Sequence, residues 1–280
     1  MQSADERSQR AQGANQAAAA GKLGSTTCFL GCVGQDANAK MVLEALEDCD
    51  VDVSQVMHVD EPTGTAIILL QPNGENSIII VGGANRNWKD VDQSAQDTIR
   101  KAGALLLQRE IPEHVNVALA EIAKEANVPV YLDAGGVDEP ISEELLSCLE
   151  VISPNETELA RLTGLPTQTE DEVQRAAAKL LETGISQVLV KLGASGSMLC
   201  SSEGQIRQAA VQAPVVVDTT GAGDCFTAAY ALSILEGRDR KSALAFAATA
   251  ASLCIRKKGA MPSLPTRQET EEEIARIYQA

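Results

Sequence analysis

The stretch with the residues best suited to chemistry runs from Val215 to Gly237, VVVDTTGAGDCFTAAYALSILEG. Gly221-Ala222-Gly223 can make a tight turn that another group approaches closely, because glycine tolerates positive φ. Asp224 follows at the start of an apolar run, Phe226 to Leu235, that reads as a helix. Free backbone N–H groups at a helix start favour a bound anion, and an acid placed among them is ionised. Asp224 could then serve as a general base beside a phosphate. The same letters also fit a plain strand-to-helix turn with an aspartate cap. No Lys-Ser/Thr follows the glycines, so this is not a Walker A loop.

Such a turn needs a scaffold, and the bulk properties indicate one. At 280 residues the chain can bury a large core as a single α/β domain. A formal net charge of −16 argues against nucleic-acid partners and acidic membranes. No apolar run reaches transmembrane length, and the start has no signal-peptide core. The expected compartment is therefore the cytoplasm, an organellar form with a lost targeting segment staying open. Seven cysteines without CxxC spacing read as free thiols. His58 and His114 read as surface residues.

Val215–Val217 reads as the strand entering the turn. Residues 1–12 read as a disordered start, and Gly13 to Ala20 opens an alanine-rich helix. Thr26–Cys32 reads as one strand and Ala39–Cys49 as a helix. Two β-rich segments around Asn73-Gly74 predict a hairpin within about 54–87, a β flap added to the main sheet. Strands are then expected at 104–107, 128–132, 151–153 and 187–192. They alternate with helices near 93–101, 113–126, 141–149, 156–163 and 170–183. Helices follow at 241–255 and 269–278. This alternation predicts a mostly parallel sheet with helices on both faces. Glu110, Asp133, Asn155, Gly193 and Asp218 each fall just after an expected strand, at the edge where open parallel sheets bind ligands.

The motifs DTTGAGD (218–224), PNETEL (154–159), VKLGASG (190–196), LQRE (107–110), KKGAMPSLP (257–265) and GANQAAAAG (13–21) occur in this sequence. In order and spacing they resemble the ribokinase (PfkB) family of carbohydrate kinases, over Gly13 to the C-terminus. The resemblance implies a ribokinase-like α/β fold with a small β lid, and ATP-dependent phosphorylation of D-ribose at its primary hydroxyl. The alternatives are a kinase for another sugar or nucleoside, such as fructose or adenosine, or a nucleotide-binding protein with little activity. It implies Asp224 as base and the amides of Gly221, Ala222 and Gly223 as the anion hole. Nucleotide contacts would come from Asn155, Lys191, Leu192, Gly193, Ala194, Ser195, Gly196, Gly223 and Asp224. Sugar contacts would come from Gly13, Ala14, Asn15, Glu110 and Asp224. Asn155 and Glu158 would lie near the Mg²⁺ that accompanies ATP, although the pair also fits a helix capping box. A potassium ion would be held by Asp218, Thr220, Cys254, Lys257, Gly259 and Ser263, with only the backbone carbonyl of Lys257 taking part. Two copies could pair through their lids.

The front of the sequence departs from this pattern. Family members begin with a central strand and lid strands, and carry a glycine pair and a lysine before GAN. Here Arg10-Ala11-Gln12 stands in that place. The expectation is a sheet lacking one strand and part of its lid, with apolar side chains and backbone groups left bare. The phosphate half of the site would then be whole and the sugar half incomplete.

Overall fold

The computed structural model describes residues 12–70 and 76–278. In chain order the elements are α1 (Gln12–Lys22), β1 (Thr27–Cys28), β2 (Gly31–Val33), α2 (Ala37–Glu47), β3 (Val51–Asp52), β4 (Val56–His58), β5 (Thr65–Leu70) and β6 (Asn76–Val81). There follow α3 (Gln93–Arg100), β7 (Leu105–Arg109), α4 (Glu113–Glu125), β8 (Val130–Gly136), α5 (Glu143–Leu146), β9 (Val151–Ser153), α6 (Glu156–Thr163) and α7 (Glu170–Leu181). The last are β10 (Gln187–Lys191), β11 (Ser197–Ser201), β12 (Gly204–Gln208), α8 (Ala222–Leu235), α9 (Arg240–Cys254) and α10 (Arg267–Tyr278).

Six strands form the main sheet in the order β12-β11-β10-β9-β8-β7. β7 to β10 run parallel, and β11 and β12 close one flank as an antiparallel hairpin absent from the expected elements. Successive strand residues point to opposite faces, so each central strand needs apolar side chains on both. Tyr131, Val151, Leu189 and Leu199 pack with α1, α8 and α9. Their neighbours Leu132, Ile152, Val188 and Met198 pack with α4 and α7 on the other face. The parallel strands run toward one edge, where Asp133, Ser153 and Lys191 meet through Thr227; Asp133 falls inside β8, which extends to Gly136, rather than after it.

Several expected elements differ. Gln12 is the first residue of α1 rather than part of a disordered start; residues 1–11 lie outside the described residues. Thr26–Cys32 is not one strand: β1 pairs with β3 and β2 with β4, in two separate parallel pairs. Val215–Val217 forms no strand and is exposed. β-branched residues favour strands only when a neighbouring strand takes their hydrogen bonds. Here Val217 N–H donates instead to Ile255 O at the end of α9 (2.8 Å). The lid hairpin does form from β5 and β6, antiparallel, with Leu70 opposite Asn76. Its Asn73-Gly74 turn lies outside the described residues. The base of the lid is drawn tight: a Cβ on Gly83, at φ +49°, would sit 2.2 Å from Pro62 O.

On the flank away from β12, no further described strand pairs with β7. Between β7 and the β1 and β2 pairs lies a cleft of about 490 Å³, lined by Leu105, Leu107, Cys28, Leu30, Ala17 and Leu119 among others.

Candidate active site

The site gathers where α8 starts. Gly221, at φ +80°, is its N-cap, so Ala222, Gly223 and Asp224 make the first turn. Among the described residues, the backbone N–H groups of Gly221, Gly223 and Asp224 have no partner, whereas Ala222 N–H makes a long bond to Thr219 O (3.3 Å). Unpaired helix-start amides are an anion site in waiting. Gly223 leaves that approach open, since the nearest atoms to a Cβ there would be those of Lys191, 3.8 Å away.

Asp224 is 8 % exposed, and Asn15 Nδ2 donates to its Oδ2 at 2.8 Å. Burial first, and then the nearby Asp133 carboxylate, push the Asp224 pKa up to about 8, against the Asn15 bond and Lys191. A carboxyl group poised there accepts a proton near neutrality far more readily than an ordinary aspartate.

Asn15 lies in the first turn of α1 and is buried. Alanine's high propensity makes α1 a helix, and its small side chains let α1 pack closely on α8. Gln12, Asn15 and Gln16, at i, i+3 and i+4, share one polar stripe on this helix. Asn15 Oδ1 and Gln12 Oε1 are buried without a hydrogen-bond partner, acceptors open to the hydroxyls of a ligand. Gln12 N–H donates to Glu110 Oε2 (3.0 Å), which ties the end of β7 to α1. Gly13, Ala14 and Glu110 line the cleft, and a Cβ on Gly13 would press on Gln108 Oε1 at 2.8 Å. The sequence reading missed Gln12 and Gln16, although their spacing on an alanine helix is a usable signal.

On the nucleotide side, Lys191 ends β10, and its Nζ pairs with Asp133 Oδ2 at 2.7 Å. Leu192 is buried, and Gly193, Ala194 and Ser195 form an exposed 3₁₀ turn. Gly196, at φ +98°, closes this shelf where a Cβ would stand 2.1 Å from Gln208 O. Asn155 and Glu158 do make a capping box at the start of α6, with both bonds at 2.8 Å. Glu158 is also held beside Lys191. Burial raises its pKa against the pull of Lys191. Its Oε2 is used by the box, and its Oε1 has no hydrogen bond among the described residues.

The cation residues also come together. Asp218 accepts from Thr220 N–H and Gly259 N–H, each at 2.9 Å, holding the two loops face to face. Ser263 Oγ lies 3.0 Å from Cys254 Sγ and donates to Ala260 O (2.7 Å). Cys254 O accepts from Lys257 N–H (3.3 Å). The Lys257 side chain points away and pairs with Glu269 (3.1 Å) on the surface, rather than being merely solvated. His58 and His114 are exposed and all seven cysteines are free. Among the described residues, no three His, Cys, Asp or Glu side chains cluster as a metal cage, and no helix is long and apolar enough to cross a membrane.

The sequence pattern of the pfkB family carbohydrate kinases matches residues 12–267. The chain belongs to this family. It is 51 % identical to a ribokinase of Arabidopsis thaliana, over 92 % of this chain and 69 % of that protein. A ribokinase of Haemophilus influenzae is 36 % identical, over 93 % of this chain and 85 % of its own length. The solved structure of Arabidopsis thaliana ribokinase complexed with ribose and ATP superposes with a TM-score of 0.91 at 49 % identity, covering 93 % of this chain and 86 % of that one. As a PfkB carbohydrate kinase, the chain is a phosphotransferase acting on a sugar hydroxyl.

Proposed function

We propose that this protein transfers the γ-phosphoryl group of ATP to the primary hydroxyl of D-ribose, giving D-ribose 5-phosphate and ADP. The observation that carries this reading is the 2.8 Å bond between Asn15 Nδ2 and Asp224 Oδ2. It sets a sugar-facing amide against the carboxyl group at the head of the glycine turn. Asn15, with Gly13, Ala14 and Glu110, orients the sugar, and the open Oδ1 of Asn15 accepts one of its hydroxyls. Asp224 takes the proton of the primary hydroxyl. That oxygen bonds to the γ-phosphorus as the bond from phosphorus to the departing ADP oxygen breaks. The amides of Gly221 and Gly223 stabilise the charge on the phosphoryl group, joined by Ala222 once it gives up its long bond to Thr219. Lys191 to Gly196 carries the nucleotide, with Asn155 at its phosphates.

The open Glu158 Oε1 and the Asn155 amide are hard oxygen donors that suit magnesium held through water. Asp218, the carbonyls of Thr220, Cys254, Lys257 and Gly259, and Ser263 form an oxygen-rich loop pair that suits potassium. Bound cations would add positive field beside the phosphates. Pairing of two copies through the lid belongs to the same reading and is checked by sedimentation.

The test is ribose-dependent ADP release, with the product identified by phosphorus NMR and fructose and adenosine run at matched concentrations. Turnover on ribose with a 5-phosphate product is expected. Turnover on fructose or adenosine instead, or on none, overturns it. Replacing potassium by tetramethylammonium is expected to lower the rate, and an unchanged rate removes the cation from the scheme.

A further inference from the structure

Asp133 lies midway along β8 and is 1 % exposed, and the reaction outlined above gives it no task. Its Oδ2 accepts from Lys191 Nζ (2.7 Å), Thr227 Oγ1 (3.0 Å) and Gln16 Nε2 (3.2 Å), and its Oδ1 from Gly135 N–H (3.2 Å). Three donors converge on Oδ2 and one reaches Oδ1, so Oδ2 is fully engaged. So engaged, the carboxylate anchors these donors rather than any ligand. Each donor is itself held. Thr227 Oγ1 is 3.2 Å from Ser153 Oγ, and Gln16 Oε1 accepts from Gln108 Nε2 (2.7 Å). α1, β8, β10 and α8 therefore meet on one carboxylate.

What this network fixes is the lysine. The Lys191 side chain is 15 % exposed, and its Nζ would lie 3.8 Å from a Cβ on Gly223, directly against the glycine turn. Burial works against its charge, but the Asp133 and then the Glu158 carboxylates hold its pKa above the ordinary lysine value. The ammonium stays charged and stays in one place. A compact cation at that place complements the oxygens of a phosphoryl group seated on the turn amides.

We infer that Asp133 is a positioning residue that holds the Lys191 ammonium beneath the Gly221–Gly223 turn, where it meets the γ-phosphoryl group as that group leaves ADP. This deepens the proposed function and rests on it only for its turnover readout.

Two measurements test it. Asp133→Asn is expected to lower kcat about 10²-fold, as losing one preorganised donor does, with KM for ribose within about threefold. It is also expected to weaken a non-hydrolysable ATP analogue about tenfold relative to ADP by calorimetry, since only the analogue carries the γ-phosphoryl charge. Lys191→Met should reproduce both effects, and the double variant should be no worse than Lys191→Met alone. Multiplicative losses, or an unchanged analogue-to-ADP ratio in folded Asp133→Asn, overturn the proposal and leave Asp133 a brace. If Asp133→Asn does not fold, Thr227→Val removes one of the four donors without touching charge. A ratio unchanged in that variant likewise overturns it, and a fall of about threefold supports it. A wild type that binds nucleotide without phosphorylating ribose defeats the ribose reading, and the analogue-to-ADP comparison still decides this one.

Discussion

Two sides of the molecule are built differently. On the phosphate flank, the Lys191, Thr227 and Gln16 side chains from three elements lock onto Asp133 of β8, and α8 packs against α9 through buried alanines and Phe246. At the β7 flank, the sheet edge faces an apolar cleft of about 490 Å³, and the strands beyond it are two or three residues long. One flank is dense and fixes charge to within a bond length. The other has room. A transferring phosphoryl group needs fixed donors, because preorganised dipoles cost nothing to reorient during reaction. A sugar needs hydroxyl partners that water does not reach, and here α1 carries the open acceptors Asn15 Oδ1 and Gln12 Oε1.

The sharpest way to break this contrast is Asp224→Asn, which keeps shape and removes the base. Turnover is expected to fall by about 10³-fold or more, while calorimetric ATP affinity holds because the anion site is backbone. Loss within tenfold would show that the dense flank is not where the proton goes.

Packing gives the next contrast. Ala247→Leu, fully buried beneath α8, should cost about 1–3 kcal/mol in urea unfolding through overpacking. Ala20→Leu, on the cleft wall, should change stability by no more than about 0.5 kcal/mol, because the added atoms have space. Equal costs would mean that the cleft is as tightly packed as the opposite flank.

The pH dependence sharpens the link between the flanks. With the Asp224 pKa near 8, kcat/KM for the sugar should rise with pH and level off above about 8. The Asn15 bond favours the ionised form, so Asn15→Ala should move that rise to higher pH. Stability runs the other way. The folded pKa lies above the unfolded value, so the native state keeps a proton that the unfolded chain has lost. The contribution of Asp224 to stability therefore falls as pH climbs from about 4 to about 8. Asp224→Asn should accordingly melt higher than the wild type at pH 8, and a lower melting point at that pH would reverse the assignment. The smallest effect expected is that of Lys257→Ala on stability. Its pair with Glu269 is about half exposed on both sides, and such pairs contribute roughly 0–1 kcal/mol.

Much of the phosphate flank was legible in the letters. Glycine, acid and apolar run marked the turn at 221–224, and the α/β alternation after Asp92 gave the parallel sheet from β7 to β10. Asn155 and Glu158 were readable as a capping box, and the box is made. The failures share one cause. Val215–Val217 has strand propensity but pairs with no strand among the described residues, and Thr26–Cys32 divides between two partners. Strand formation depends on what lies alongside, which the local sequence does not contain. Gln12 and Gln16 were overlooked because a polar residue on an alanine helix declares its face only when the stripe is read as a whole.

The sequence by itself determined that a glycine turn with an acid opens a helix after a run of βα units, since these are matters of local propensity and spacing. Only the tertiary structure decided what that acid is. Asn15 lies 209 residues away and meets Asp224 because α1 packs along α8. Burial then lifts the acid to about 8, and Asp133 sets the lysine beneath it. A pKa and a charge's position are properties of the surroundings in space, and those surroundings come from segments far apart in the chain.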